Sequence, residues 1–264
     1  MPHWSRVLAG LTTFLLLSAT PLAAIAQEGD GESAIEPEAL AVIDAMAKKL
    51  TEATTFAYKT ETSYDVVQDS GLKVEFGGSR HSTIQRPDHF RLDSQRRAGS
   101  AGIMVFDGKE LSAFVPEHKA YATTEFEGDM QEAIDYLVSE LRVKAPLAEL
   151  VSPDVATAIR KDLTRALHLG PAIVAGHDTH HLLLSNDYAD FQMWIDEGDE
   201  PVMRRIVITY REERGEPQFR AQFVEWDFSP DTKGLFDFEP PEDAERVLFY
   251  IPGPEDALDE EDAS

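Results

Sequence analysis

The densest group of potential metal ligands in the chain is His177, Asp178, His180 and His181. A catalytic zinc takes three protein ligands, mostly His and carboxylate, and keeps a fourth position open. Side chains alternate between the faces of a strand, so His177 and His181 share one face while Asp178 and His180 share the other. Two ligands per face fall short of a metal centre. The expectation is therefore a structural role for this cluster, with no metal and no cofactor. Asp65, Asp88, Asp107 and Asp196 sit at strand or turn positions with no partner carboxylate, which leaves glycosidase chemistry without an anchor. Asp107 belongs with Gly108 in a tight turn. No G-x-S-x-G, S-x-x-K, H-E-x-x-H or phosphate-loop motif occurs. The absence of cysteine excludes thiol nucleophiles, disulfides, thiolate-held metals and a lipid anchor on an N-terminal Cys. These residues point to a binding protein rather than an enzyme.

Composition narrows the partners. The 264 residues include 49 acidic against 24 basic side chains, a net charge of -25. Nucleic acid and anionic membrane surfaces both require clustered Lys and Arg, so neither is an expected partner. An apolar content of 42% with 28% charged residues is that of a folded chain. Residues 1–26 have the form of a secretory signal peptide. A weakly cationic start at His3 and Arg6 precedes the apolar stretch Val7 to Leu17, and Ala24-Ile25-Ala26 is an A-x-A site with cleavage after Ala26. Thr12, Thr13, Ser18, Thr20 and Pro21 interrupt what a membrane anchor would need as about 20 continuous apolar residues. A periplasmic, soluble product is expected. Residues 27–36 are polar and Gly-rich, a flexible leader; residues 251–264 carry six acids and form a solvated tail. The remaining span, 37–250, has no linker and reads as one domain.

Inside that domain the hydrophobic period changes twice. After Pro37, Leu40, Ile43, Met46, Ala47 and Leu50 recur at helical spacing. Phe56 to Gln68 then alternates Phe56, Tyr58, Thr60, Thr62, Tyr64 and Val66 with Ala57, Lys59, Glu61, Ser63 and Asp65, a long one-sided strand. Lys73–Gln85, His89–Arg96, Gly102–Asp107, Glu110–Val115 and Ala120–Glu125 continue the meander. Asp107-Gly108 marks a hairpin, and Gly77-Gly78 a bend or bulge. The middle is helical. Asp129 and Glu132 form a capping box before the stripe Met130, Ile134, Leu137 and Leu141. Ser152 and Pro153 then predict a helix carrying Val155, Ile159, Leu163 and Leu167, ended at Gly170-Pro171. Strands resume at Ile173–Ala175, Thr179–Ser185, Phe191–Asp196, Val202–Arg211 and Gln218–Phe228. The last of these switches phase, which predicts a bulge at Phe223-Val224.

Ten or eleven antiparallel strands with so few helices define an α+β fold. Its strongly curved sheet, an unclosed β-barrel, must bury its apolar face by curling under a helical cover. Phe56, Tyr58, Tyr64, Phe76, Phe90, Met193, Ile195, Ile206, Ile208, Tyr210, Phe223 and Trp226 have the parity to line the resulting cavity, with flexible Met193 among them.

Four motifs in order carry a family resemblance. Gln85-Arg86-Pro87-Asp88-His89-Phe90-Arg91-Leu92 resembles the RP-x-x-x-R strand of the LolA/LolB/LppX-like lipoprotein-carrier fold. Val105-Phe106-Asp107-Gly108-Lys109-Glu110-Leu111 resembles its DGK-x-L hairpin, and Phe236-Asp237-Phe238-Glu239-Pro240-Pro241 its closing F-x-F-x-P-P. Met193-Trp194-Ile195-Asp196 with Pro201 is similar to a strand-turn-strand of its second half. Ser63-Tyr64-Asp65-Val66-Val67-Gln68 and Ile206-Val207-Ile208-Thr209-Tyr210 look closer still to an uncharacterised family of predicted periplasmic proteins with that fold. The resemblance implies an unclosed barrel whose helices form a lid over a hydrophobic cavity. Its known members carry acylated lipoproteins or lipids, or sense envelope stress. It also implies that Arg86 hydrogen-bonds lid carbonyls, with Ile134, Leu137 and Leu141 on the lid. The expected ligand is a lipid, acyl chain or lipoprotein. The alternative is a periplasmic protein-interaction or regulatory module with a filled core.

Overall fold

The computed structural model describes residues 35–96, 99–141 and 143–249. The expected signal peptide, most of the expected leader and the expected acidic tail lie outside the described residues. The apolar repeat after Pro37 forms α1, Pro37–Glu52, with Pro at its first turn where a missing N–H costs nothing. Ala39, Ile43, Met46, Ala47 and Leu50 are its buried stripe.

Six strands follow: β1 (Thr55–Val67), β2 (Lys73–Gln85), β3 (His89–Arg96), β4 (Ala101–Phe106), β5 (Glu110–Val115) and β6 (Ala120–Glu125). Then come α2 (Met130–Ser139), a short 3-10 turn at Ala148–Val151, and α3 (Val155–Arg160). The chain returns to the sheet with β7 (Arg165–Val174), β8 (His177–Ser185), β9 (Ala189–Asp196), β10 (Met203–Tyr210) and β11 (Gln218–Asp227), and ends in β12 (Glu245–Arg246). All twelve join one sheet in the order β12-β6-β5-β4-β3-β2-β1-β11-β10-β9-β8-β7. Its edges, β7 and β12, do not meet. Every pairing is antiparallel except the short β12–β6 contact. The expected unclosed, curved sheet thus forms, with β12 taking it past the expected ten or eleven strands. β1 is its pivot, pairing with β2 on one side and β11 on the other.

The capping box at α2 is as expected. Asp129 Oδ1 accepts from the Glu132 N–H at 2.9 Å, and Glu132 Oε2 accepts from the Asp129 N–H at 2.9 Å. The bulge also falls where the phase switch places it. Lys59 faces Glu225 while Thr60 faces Phe223, so Val224 is extra, and Phe223 and Trp226 turn to the same side.

Two expectations need correction. The helix expected from Pro153 through Leu167 stops at Arg160, its N-cap is Asp154 rather than Ser152, and β7 begins at Arg165. Asp162 takes a left-handed φ of 59°, which ends the helical path, and Arg165, Ala166 and Leu167 pair with Ser185, Leu184 and Leu183. The i, i+4 spacing of Leu163 and Leu167 imitated a helix, but ladder pairing with β8 overrides it. Gly170-Pro171 lies within β7, paired with His181 and His180 just after a register shift between His168 and Gly170, rather than at a helix end. Gly77-Gly78 contains no bulge either. The β1–β2 register runs unbroken through the pair. A Cβ on Gly77 would strike the Thr62 carbonyl and one on Gly78 the Gln95 carbonyl, so the glycines permit close approach of neighbouring strands.

The core is continuous. Ile43, Met46 and Leu50 of α1, Met130, Ile134 and Leu137 of α2, and Val155 of α3 pack with one face of the sheet. Each large apolar side chain so buried contributes about 1.5–3 kcal/mol. The other face carries the last segment of the chain: Arg91 Nη1 donates to the Leu235 carbonyl at 3.2 Å, and Phe236 lies edge-on to His89.

Candidate ligand-binding cavity

The helical cover does not fill the space over the sheet. Between α2 and α3 the chain crosses as a strap, Val143–Ala148, whose residues border open volume on both sides. Toward β1–β4 lies a cavity of about 130 Å³ walled by Tyr58, Ile84, Phe90, Met104, Ile134 and Leu137. Toward β8–β10 lies one of about 210 Å³ walled by Leu184, Phe191, Met193, Met203, Ile206 and Ile208. A wider mouth of about 320 Å³ opens beside Tyr64, Gly77, Gly78, Arg80 and Tyr210, again against Pro146 of the strap.

The residues expected on the cavity wall and on the lid take several different places. Tyr58, Phe90, Ile134 and Leu137 border the first space, Met193, Ile206 and Ile208 the second, and Tyr64 and Tyr210 the mouth. Phe56, Phe223 and Trp226 instead form a packed ring cluster with Tyr58 and Phe228, their centroids 5.1–6.4 Å apart. The Trp226 indole N–H donates to the Met203 carbonyl at 2.9 Å. Ile195 and Leu141 are buried in the core. Phe76 stacks on Tyr64 at 6.2 Å and is half open to solvent.

Arg86 reaches from the end of β2 into the cover. Its Nη1 donates to the Val151 carbonyl at 2.8 Å and its Nη2 to the Leu50 carbonyl at 3.5 Å, and the guanidinium lies 5.6 Å over the Phe56 ring. It thus ties the C-terminal end of α1 to the turn after the strap. Burial lowers its pKa without neutralising it.

The ionisable groups near the cavity are set by desolvation and pairing. Burial raises the Tyr58 hydroxyl pKa, and it raises that of Tyr210, where Glu213 and Glu149 add to the effect. At the mouth, Arg220 Nη1 donates to Asp65 at 2.8 Å and the Gln218 N–H donates at 3.0 Å; the Arg220 bond is the main cause that holds this carboxyl below its usual range. The other acids named above have partners of their own: Asp88 meets His89 at 2.7 Å, and Asp196 accepts from Arg204 through two bonds of 2.8 Å. Asp107 accepts from the Lys109 and Glu110 N–H groups.

The histidines are dispersed. His181 stacks on Trp194 at 4.3 Å, His177 lies 3.9 Å from Asp196, and His180 Nδ1 meets His168 Nε2 at 3.0 Å. Among the described residues no three His, Asp or Glu side chains converge as a metal would require. His168 was not legible as a partner, because its segment had the spacing of a helix. Arg80 was also missed, although it shares strand parity with Ile84 and so faces the cover; the strap gave no periodic signal at all.

The chain belongs to the family described as predicted periplasmic protein (DUF2092), which matches over residues 39–250. No curated protein matches it in sequence. Among solved structures it is similar to an uncharacterised conserved protein from Thermus thermophilus, at 12% identity and a TM-score of 0.47 over 80% of this chain and 99% of that one. It is likewise similar to the lipoprotein LppX from Mycobacterium tuberculosis, at 12% identity and a TM-score of 0.46 over 74% and 98%. LprF from Mycobacterium bovis is similar at 12% identity and a TM-score of 0.44 over 80% and 100%. No helix among the described residues is long and apolar enough to cross a membrane.

Proposed function

We propose that the protein is a periplasmic carrier or sensor that takes a lipid, acyl chain or other long apolar ligand beneath its helical cover. The observation that supports this reading is the pair of apolar-walled spaces, about 130 and 210 Å³, on either side of the Val143–Ala148 strap. An apolar chain lying there leaves water at about 0.8 kcal/mol per methylene. Met104, Met193 and Met203 give the walls flexible side chains that adapt to a guest. Access runs past the mouth, with the strap and α2 as the moving cover and the Arg86 tie as its anchor.

The test is native mass spectrometry of protein taken from periplasm without detergent, followed by organic extraction. Extra mass that extracts as lipid is the expected result. A bare chain that also fails to bind added fatty acids would overturn the reading.

A second reading, docking of a periplasmic protein, draws on the exposed ladder Tyr64–Phe76 and Val66–Val74 at the outer end of the β1–β2 hairpin. Under it, Phe76→Ser abolishes partner binding while leaving lipid capture unchanged.

A further inference from the structure

Two polar groups face the first cavity without a partner. Arg80 of β2 and Thr60 of β1 are register partners on the helix-covered face, and both line the space walled by Ile84, Phe90, Ile134 and Leu137. Thr60 is 1% exposed, and its Oγ1 has no hydrogen-bond partner among the described residues. The Arg80 guanidinium also borders the mouth, and among the described residues it forms no ion pair or side-chain hydrogen bond. Its neighbours explain why. Tyr58 is neutral and spends its hydroxyl on Ser82, Arg96 across the mouth has the same charge, Asp65 is engaged by Arg220, and Lys144 faces Glu213 at 3.3 Å. Burial lowers the Arg80 pKa, yet a guanidinium keeps its charge. In a chain with 49 acidic and 24 basic residues, a half-buried cation left without an acid is unexpected. The Thr60 hydroxyl is the fully buried member of the pair, and a buried polar group without a partner is costly.

Resting on the reading above, we propose that Arg80 and Thr60 hold the oxyanion head of a single-chain amphiphile whose alkyl chain runs into the apolar cavity. A guanidinium presents paired N–H donors that match a carboxylate or phosphate, and the Thr60 hydroxyl supplies a further donor beside it. Arg96 adds positive potential at the rim. Gly77 and Gly78 also line the mouth.

The experiment compares laurate with its uncharged counterpart dodecanol by calorimetric titration of the full chain below micellar concentrations. Acetate and inorganic phosphate serve as chainless anions. The wild type is expected to prefer laurate by about tenfold or more, the scale of one charge-assisted hydrogen bond. R80Q should shrink that preference to within about twofold, and R80K should retain most of it. Thermal melts establish that both variants fold. Equal binding of laurate and dodecanol by the wild type would overturn the head-group assignment alone. So would a preference that survives in folded R80Q. Acetate or phosphate binding as tightly as laurate would replace the amphiphile with a free anion. If neither laurate nor dodecanol binds, the apolar-ligand reading itself falls.

Discussion

The two walls under the strap are made from the same kind of strand and differ in what they present. On the β8–β10 side the strand residues facing the cavity are Leu184, Phe191, Met193, Met203, Ile206 and Ile208, with no charge among them. On the β1–β4 side, Ile84, Phe90, Leu92 and Met104 share their wall with Thr60, Ser82 and Arg80. A sheet face that needed only to be buried would be apolar throughout, because each polar group taken from water without a partner costs free energy. The difference lies in the strands, one set presenting only apolar side chains and the other including Thr60 and Arg80, while the cover brings Glu149, Lys161 and Asp162 to the β8–β10 space. β1 pairs with β2 toward one side and with β11 toward the other, so it is the strand that joins the two halves of the sheet.

The largest test of this comparison is at that shared strand. Phe56 is fully buried, stacks among Tyr58, Trp226 and Phe228, and lies under Arg86. Phe56→Ala should cost about 3–5 kcal/mol of unfolding free energy in urea and loosen both sides together. A loss below about 1 kcal/mol would show that the ring cluster does not join the two walls. Arg86→Met comes next, at about 1–3 kcal/mol, because the Val151 and Leu50 carbonyls lose their donor. Faster proteolysis within the strap should accompany it, and an unchanged cleavage rate would remove Arg86 from the role of tie.

Asp65→Asn is smaller and depends on pH. Its bond to Arg220 depresses the folded pKa. Its stabilisation is therefore full above the unfolded Asp value of about 3.9, and it is lost as pH falls through the lower folded value. The variant should be about 1–2 kcal/mol less stable at neutral pH, and the gap should close in acid. A gap that stays constant with pH would mean that packing, not charge, is what Asp65 supplies. The smallest effect on stability is expected for Ile206→Trp, about 1 kcal/mol or less, because the added rings enter open space rather than a filled core. It should nevertheless weaken capture of long chains more than short ones, which a titration across chain lengths measures.

Much of this architecture is legible from residue order, and the reasons are local. α1, the first six strands, the α2 capping box and the bulge at Val224 all follow from period, cap chemistry and phase, which act over a few residues. What escapes is decided at long range. Leu163 and Leu167 satisfy a helical repeat equally well, and only the β8 partner makes Arg165–Val174 a strand. The cavity residues show the same limit. Parity correctly puts Phe56, Phe223 and Trp226 on the helix-covered face, but whether a ring fills the core or borders a space depends on neighbours brought from elsewhere in the chain. Arg80 has the parity of an inward residue too. Being charged, it is easily assigned to solvent until the structure puts it opposite Thr60.

The most direct measurement is nuclear magnetic resonance of methyl-labelled protein with a fatty acid carrying a nitroxide at the end of its chain. The account predicts paramagnetic broadening of the methyls of Met104, Ile134, Leu137, Met193 and Ile206, with those of the exposed Ile173 and Val224 left sharp. Broadening confined to Ile173, Val224 and other exposed methyls, with the cavity methyls untouched, would contradict a ligand held beneath the cover.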